Sequence, residues 1–134
     1  MRGTPQDMAG LTGYDDVVGE VEEELRKALV FAAEQGIAAG QMVIDPGIGF
    51  AKDTAQNVAL LAATERFTRL APVLIGVSRK RFIGELCNEP VPTERVGGSV
   101  GIAVWCAMHG AAVVRVHDVK ATRQALTVVQ ALMA

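Results

Sequence analysis

The sequence predicts an α/β fold, a parallel sheet with helices over both faces, and three observations carry that expectation. Short runs that are apolar throughout, "QMVID", "PVLIGV" and "AAVVRV", alternate with longer segments of helical periodicity. Strands apolar at every position are buried on both faces, which is the mark of a parallel sheet under helices. The strand–helix units recur about every 30 to 40 residues, the length such a unit needs. Half of the 134 residues are apolar, yet only 4% are aromatic and 14 are glycine. That supply of small residues lets helices lie close to a sheet.

Taken in order, residues 1 to 13, "MRGTPQDMAGLTG", are rich in Gly, Thr and Pro and read as loop. In "YDDVVGEVEEELRKALVFAAEQG", Val17, Val18, Val21, Leu25, Ala28, Leu29 and Ala32 recur at helical spacing. Asp15 and Asp16 suit the positive end of that helix, and Gly36 offers a stop. "QMVID" is the first strand. Asp53 and Thr54 then offer caps for a helix to about Arg69. "PVLIGV" is too short for a helix and reads as the second strand, followed by "SRKRFIGEL". The Pro-containing "CNEPVPTE" leads into "RVGGSVGIAVWCAMHG", a small-residue helix capped by Thr93 and ended by Gly110. "AAVVRV" is the third strand, "HDV" its exit loop, and Asp118 the cap of a last helix to about Leu132.

Composition excludes several classes of function. Net charge is −2 with both signs interspersed, so there is no basic stripe for nucleic acid, and stacking aromatics are scarce. Cys87 and Cys106 match no zinc spacing and read as thiols of a reducing cytosol. No charged-then-apolar leader opens the chain, and no apolar run approaches the roughly 20 residues that span a bilayer. A cytoplasmic protein that binds neither membrane nor nucleic acid is expected.

Each polar stretch directly follows a strand. In parallel folds those strand ends lie on one side, so "DPGIGFAK", "SRKRF" and "RVHDV" are expected to face one another. Asp45 at a strand end suits a turn cap. It equally suits the paired N–H groups of a 2-amino-pyrimidinone, which a carboxylate accepts as it accepts arginine's. Pro46 would hold the turn, Gly47 and Gly49 would permit close approach, and Phe50 offers a stacking face. The stretch is a poor dinucleotide fingerprint, because Lys52 and Asp53 stand where a third small residue belongs.

Arg79, Lys80 and Arg81 are successive and cannot all point one way. A solvated basic turn is the plainer reading of any one of them taken singly; Lys80 is the one expected in a pocket, with Gly76 allowing a flat ring to pack and Ser78 holding the turn. Arg115 and His117 alternate on a strand and its exit, hence share a side; a lone His is more often structural, but with this Arg two residues before it the pair suits a seat for phosphate or pyrophosphate. His109 before Gly110 reads as a helix-end residue, "GGSVG" as a helix-packing stripe and Trp105 as a packing residue.

Together, "DPGIGFAKD", "GVSRKRFIGEL" and "RVHDVKATRQAL", in that order, resemble dihydropteroate synthase, and "MRGTP" is similar to the family segment after its fifth barrel strand. The resemblance implies the C-terminal part of a TIM (β/α)₈ barrel, with residues 1–134 as one partial pterin-binding domain. It implies a transferase of folate biosynthesis that joins a hydroxymethyl-dihydropterin pyrophosphate to para-aminobenzoate and releases pyrophosphate. Carried over by motif, Asp45 would hold the pterin's amino edge and Phe50 would lie beside the substrates. Lys80 would contact the pterin and the approaching aminobenzoate, above Gly76, with Ser78 nearby; Arg115 and His117 would bind the pyrophosphate. Lys80, Arg115 and His117 are the catalytic set.

Mg²⁺ is implied as cofactor, but the family's metal-binding Asn, its Thr-Arg-Pro loop and further pterin-binding Asp and Asn residues have no counterpart in this chain. Little synthase activity is therefore expected of the chain alone. Open strand edges, and apolar faces that a closed barrel would hide, predict self-association into a homo-oligomer. Two other readings stay open: a pterin-binding methyltransferase, against which "SRK" and "RVHD" argue, and a non-catalytic half-barrel that binds or assembles.

Overall fold

The structure, a computed structural model, describes residues 11 to 134. The "MRGTP" segment, and most of the loop expected over residues 1 to 13, lie outside the described residues.

The first helix, α1 (Val17–Glu34), starts where a carboxylate can satisfy its first amides. Asp16 Oδ1 accepts the N–H of Gly19 at 3.0 Å, and Glu20 Oε1 accepts those of Asp15 and Asp16. Val17, Val18, Leu25 and Leu29 pack on the core around buried Val21. Phe31, on the far side, is 63% exposed. The chain turns at Gly36, whose φ of 87° is the left-handed value glycine adopts without strain.

Asp53 caps α2 (Thr54–Ala62) in a capping box with Gln56. The single helix expected to about Arg69 instead breaks at Ala63, and α3 (Thr64–Thr68) follows directly. There buried Thr64 returns its hydroxyl to the Leu61 carbonyl at 2.7 Å, a local bond that competes with the helical ladder. The next elements are β1 (Leu74–Ile75), α4 (Arg81–Cys87), α5 (Val96–Met108), β2 (Val113–Val114) and α6 (Val119–Met133). Asn88, left-handed at φ 51°, ends α4, and Gly110 ends the turn after α5. Thr93 does not cap α5: it lies in the 3₁₀ turn Pro92–Glu94, and Arg95 occupies the cap position.

β1 and β2 pair in parallel, Leu74 with Val113 and Ile75 with Val114. Ile44 of the "QMVID" run adds a parallel bridge to Val73 on the other side of β1. The three strands thus stand in sequence order with β1 central, though paired over fewer residues than their apolar runs suggest. Pairing aligns side chains, so Ile44, Val73, Ile75 and Val77 share the face under the helices, where Phe67, Leu60, Phe82, Ile83 and Cys106 complete the core. Val43, Asp45, Leu74, Gly76, Val113 and Arg115 alternate onto the opposite face. That face is open, with Val43 and Val113 exposed. The expectation of helices over both faces is corrected here: helices cover one face only.

Trp105, expected in the packing, is half exposed; its indole donates to the Leu61 carbonyl at 3.3 Å and stacks on His109 at 4.0 Å between centroids. Both cysteines are free thiols, Cys106 buried and Cys87 exposed. No helix among the described residues is long and apolar enough to cross a membrane.

Candidate functional site

The loop after Ile44 is fastened from within. Asp45 Oδ1 accepts the Gly47 N–H at 2.8 Å, across the ring of Pro46. Gly47 and Gly49 take left-handed φ of 71° and 78°, and Ala51 follows at 51°. An alanine so placed is strained by about 1 kcal/mol or more, so neighbours must hold it. Lys52, almost wholly buried, donates from Nζ to the carbonyls of Gly47 at 3.2 Å and Phe50 at 3.0 Å. Buried Asn57 accepts the Gly49 N–H at 2.6 Å and donates to the Asp53 carbonyl at 2.8 Å. Loop and helix start are one hydrogen-bonded unit.

The second segment meets that loop through Lys80. Its Nζ donates to the Ile48 carbonyl and lies 4.3 Å from the centroid of the Phe50 ring, within cation–π range. A Cβ at Gly49 would stand 2.8 Å from Lys80 Cδ, so glycine leaves the room the lysine uses. Burial lowers the Lys80 pKa from its ordinary 10.5; the Asp45 carboxylate opposes that shift, and the Arg115 and Lys52 cations reinforce it. A cavity of about 320 Å³ opens beside these groups, walled by Phe50, Lys52, Asn57, Lys80, Arg81 and Phe82 among others.

The three successive cations diverge. Lys80 turns to the loop, Arg81 pairs with Glu85 at 3.2 Å on the surface, and Arg79 forks onto Asp118 at 2.8 and 3.1 Å. Asp118 was expected to cap α6 with its side chain. It stands at the cap position without such a bond, its oxygens engaged by Arg79, and that fork holds its carboxyl below the ordinary 3.8.

The third segment joins through Ser78 and Gly76. The Ser78 hydroxyl accepts the His117 N–H at 3.2 Å and lies 3.1 Å from His117 Nδ1. The Arg115 guanidinium crosses Gly76 so closely that a Cβ there would meet Nη2 at 2.6 Å. Asp45, Arg115 and His117 are exposed, whereas Ser78 and Gly76 are buried. The structure thus joins Phe50 to Lys80, Gly76 to Arg115 and Ser78 to His117, while Asp45 bonds its own turn at Gly47. Sequence reasoning missed Asn57, Lys52 and Arg95. A buried Asn among the apolar positions of α2 was the available signal for the first. Arg95, whose guanidinium donates to the carbonyls of Glu89, Pro90 and Arg79, left no such signal.

Parallel strands with their polar groups gathered at the C-terminal ends, helices on one face and an open opposite face define part of a TIM barrel and its ligand-binding end. The chain belongs to the pterin binding enzyme family, whose profile matches residues 1–117. It is 42% identical over 134 residues to the dihydropteroate synthase of Escherichia coli strain K12, an alignment covering 99% of this chain and 47% of that protein. The crystal structure of dihydropteroate synthase from Stenotrophomonas maltophilia, with active site-bound imidazole, superposes with a TM-score of 0.96 at 47% identity, covering 100% of this chain and 51% of that one. The Xanthomonas albilineans dihydropteroate synthase in complex with 7,8-dihydropteroate gives a TM-score of 0.90 at 50% identity over 91% of this chain and 47% of that one. The chain therefore spans about half the length of the relatives it matches.

Proposed function

We propose that this chain is the pterin- and pyrophosphate-holding part of a dihydropteroate synthase, a single partial barrel domain over residues 1–134. In that reaction the amine of para-aminobenzoate attacks the methylene of hydroxymethyl-dihydropterin pyrophosphate. A C–N bond forms, the C–O bond breaks, pyrophosphate departs and the amine loses a proton.

The observation that carries the proposal is the Lys80 ammonium, held over Phe50 within electrostatic reach of the Asp45 carboxylate and the Arg115 guanidinium. Asp45 commits one hydrogen bond to its own turn and keeps acceptor capacity for the pterin's N–H pair. Lys80 contacts the ring and the incoming amine beside Phe50. Arg115 and His117, steadied by Gly76 and Ser78, receive the pyrophosphate oxygens, whose charge grows as the bond breaks. Holding both reactants in one cleft supplies proximity, and no protein nucleophile is needed.

Magnesium is the cofactor the family resemblance implies. Among the described residues no three His, Cys, Asp or Glu side chains gather into a metal cluster, so these residues do not fit a metal by themselves and no step is assigned to it.

Calorimetric titration with hydroxymethyl-dihydropterin pyrophosphate tests the proposal. Binding that Asp45→Asn abolishes is expected; equal binding by that variant overturns the assigned role. The open face favours a second reading, an assembly half without turnover of its own. Turnover restored on mixing with a complementary barrel half speaks for the synthase, and a stable but inactive complex for the assembly half.

A further inference from the structure

Arg79 is held at its main-chain N–H, its carbonyl and two guanidinium nitrogens, and by different elements. Its N–H donates to the hydroxyl of buried Ser99 at 2.9 Å, and that hydroxyl donates to the Arg95 carbonyl at 2.7 Å. Its carbonyl accepts from Arg95 Nη1 at 3.1 Å. Its guanidinium forms a two-pronged bond with Asp118 at the start of α6. Its backbone is left-handed, φ 63°, which an L residue keeps only where the surroundings hold it.

On either side of this pinned residue stand Ser78, whose hydroxyl meets His117, and Lys80, which lies over Phe50. Asp118, the other end of the fork, directly follows His117. One residue therefore ties the lysine side of the site to the histidine side, with α5 as the fixed support. We propose that Arg79 is a positioning residue that sets the spacing between Lys80, over the pterin-binding loop, and His117, at the pyrophosphate seat. This rests on the function proposed above. A surface ion pair alone would contribute little; bidentate geometry together with main-chain anchoring makes this one a spacer.

The variants are Arg79→Gly, which suits the left-handed backbone while freeing Asp118, and Asp118→Asn, which keeps the shape and loses the charge. Two signals are read in each. The first is calorimetric affinity for hydroxymethyl-dihydropterin pyrophosphate. The second is the His117 ring resonance in the ligand-free chain, with His109, the other of the two histidines, as internal reference. Each variant is expected to weaken affinity about tenfold, and the double variant no further, as coupled partners do. The His117 resonance is expected to move and that of His109 to stay, with the melting temperature kept. A purely structural role would lower the melting temperature and move both histidines. An unmoved His117, or unchanged affinity where the parent binds, overturns the proposal. Should the parent chain itself not bind, the functional reading falls, and the His117 resonance alone decides the positioning role.

Discussion

On one face of the sheet Ile44, Val73, Ile75 and Val77 are at most 5% exposed; on the other, Val43 and Val113 are 53% and 42% exposed. Both sets are β-branched residues of the same kind of apolar run, with Val43 directly beside Ile44, so strand propensity does not distinguish them. What differs is the cover. Helices α2 to α5 bring Leu60, Phe67, Phe82, Ile83 and Cys106 onto the first face, whereas the second carries Asp45, Gly76 and Arg115 and no helix. In a closed barrel that second face is the interior, filled by side chains from the other strands. Stability here thus comes from one face, and the ligand-directed groups are set at the rim of the other.

The largest expected effect tests that division. Phe67→Ala removes a wholly buried ring from the covered side and should cost about 3–5 kcal/mol, whereas Val113→Ala on the open side should stay within about 0.5 kcal/mol. Urea unfolding of the two variants measures both. Similar midpoints would mean that the open face is covered in solution.

Next in size is the loop anchor. Asn57→Ala strands the Gly49 N–H, while the Asp53 carbonyl keeps the main-chain N–H of residue 57, and should cost about 1–3 kcal/mol. It should also loosen the loop that seats Phe50, so denaturation and pterin-site affinity fall together. A stability loss with affinity intact would separate the loop from the site.

The open face and its unpaired edges lead to a smaller, concentration-dependent expectation, self-association. Light scattering over rising concentration should show species larger than one chain, and Val43→Lys with Val113→Lys should return them toward monomer. A parent that stays monomeric throughout would break the contrast between the faces.

How much of this was legible in the sequence follows the same division. The strands' places and the caps at Asp16 and Asp53 were readable because they depend on a few adjacent residues. So was the meeting of the three segments, Lys80 with Phe50, Arg115 with Gly76 and His117 with Ser78, since parallel strands put their ends together whatever packs around them. Unreadable was whatever depended on partners remote in sequence. Apolar strands predicted two covered faces; only the reading as part of a barrel, which leaves apolar faces bare, says that one cover is missing. Asp118 satisfied every local rule for a capping carboxylate, yet Arg79, 39 residues away, claims it with a bidentate bond stronger than a single amide contact. The break at Ala63 falls beside Thr64, which is wholly buried, bonds back to the Leu61 carbonyl and lies against Cys106, 42 residues on.

The finest difference between the faces concerns Lys80, which sits where they meet. Its pKa is lowered from 10.5, first by burial, so between its folded value and 10.5 the unfolded chain binds more protons than the native one. Stability due to this group is therefore complete above 10.5, and is lost as pH falls through the folded value. Cys106 acts oppositely: burial raises its pKa above 9.0, so its contribution declines as pH rises beyond 9.0 toward its folded value. Unfolding curves of the parent alone would blend the two. Subtracting those of Lys80→Met, which keeps Cys106, isolates the lysine, and the parent-minus-variant stability should rise with pH toward 10.5. A flat difference would place the Lys80 ammonium in water, on the open side of the molecule, instead of packed against Phe50 and the loop.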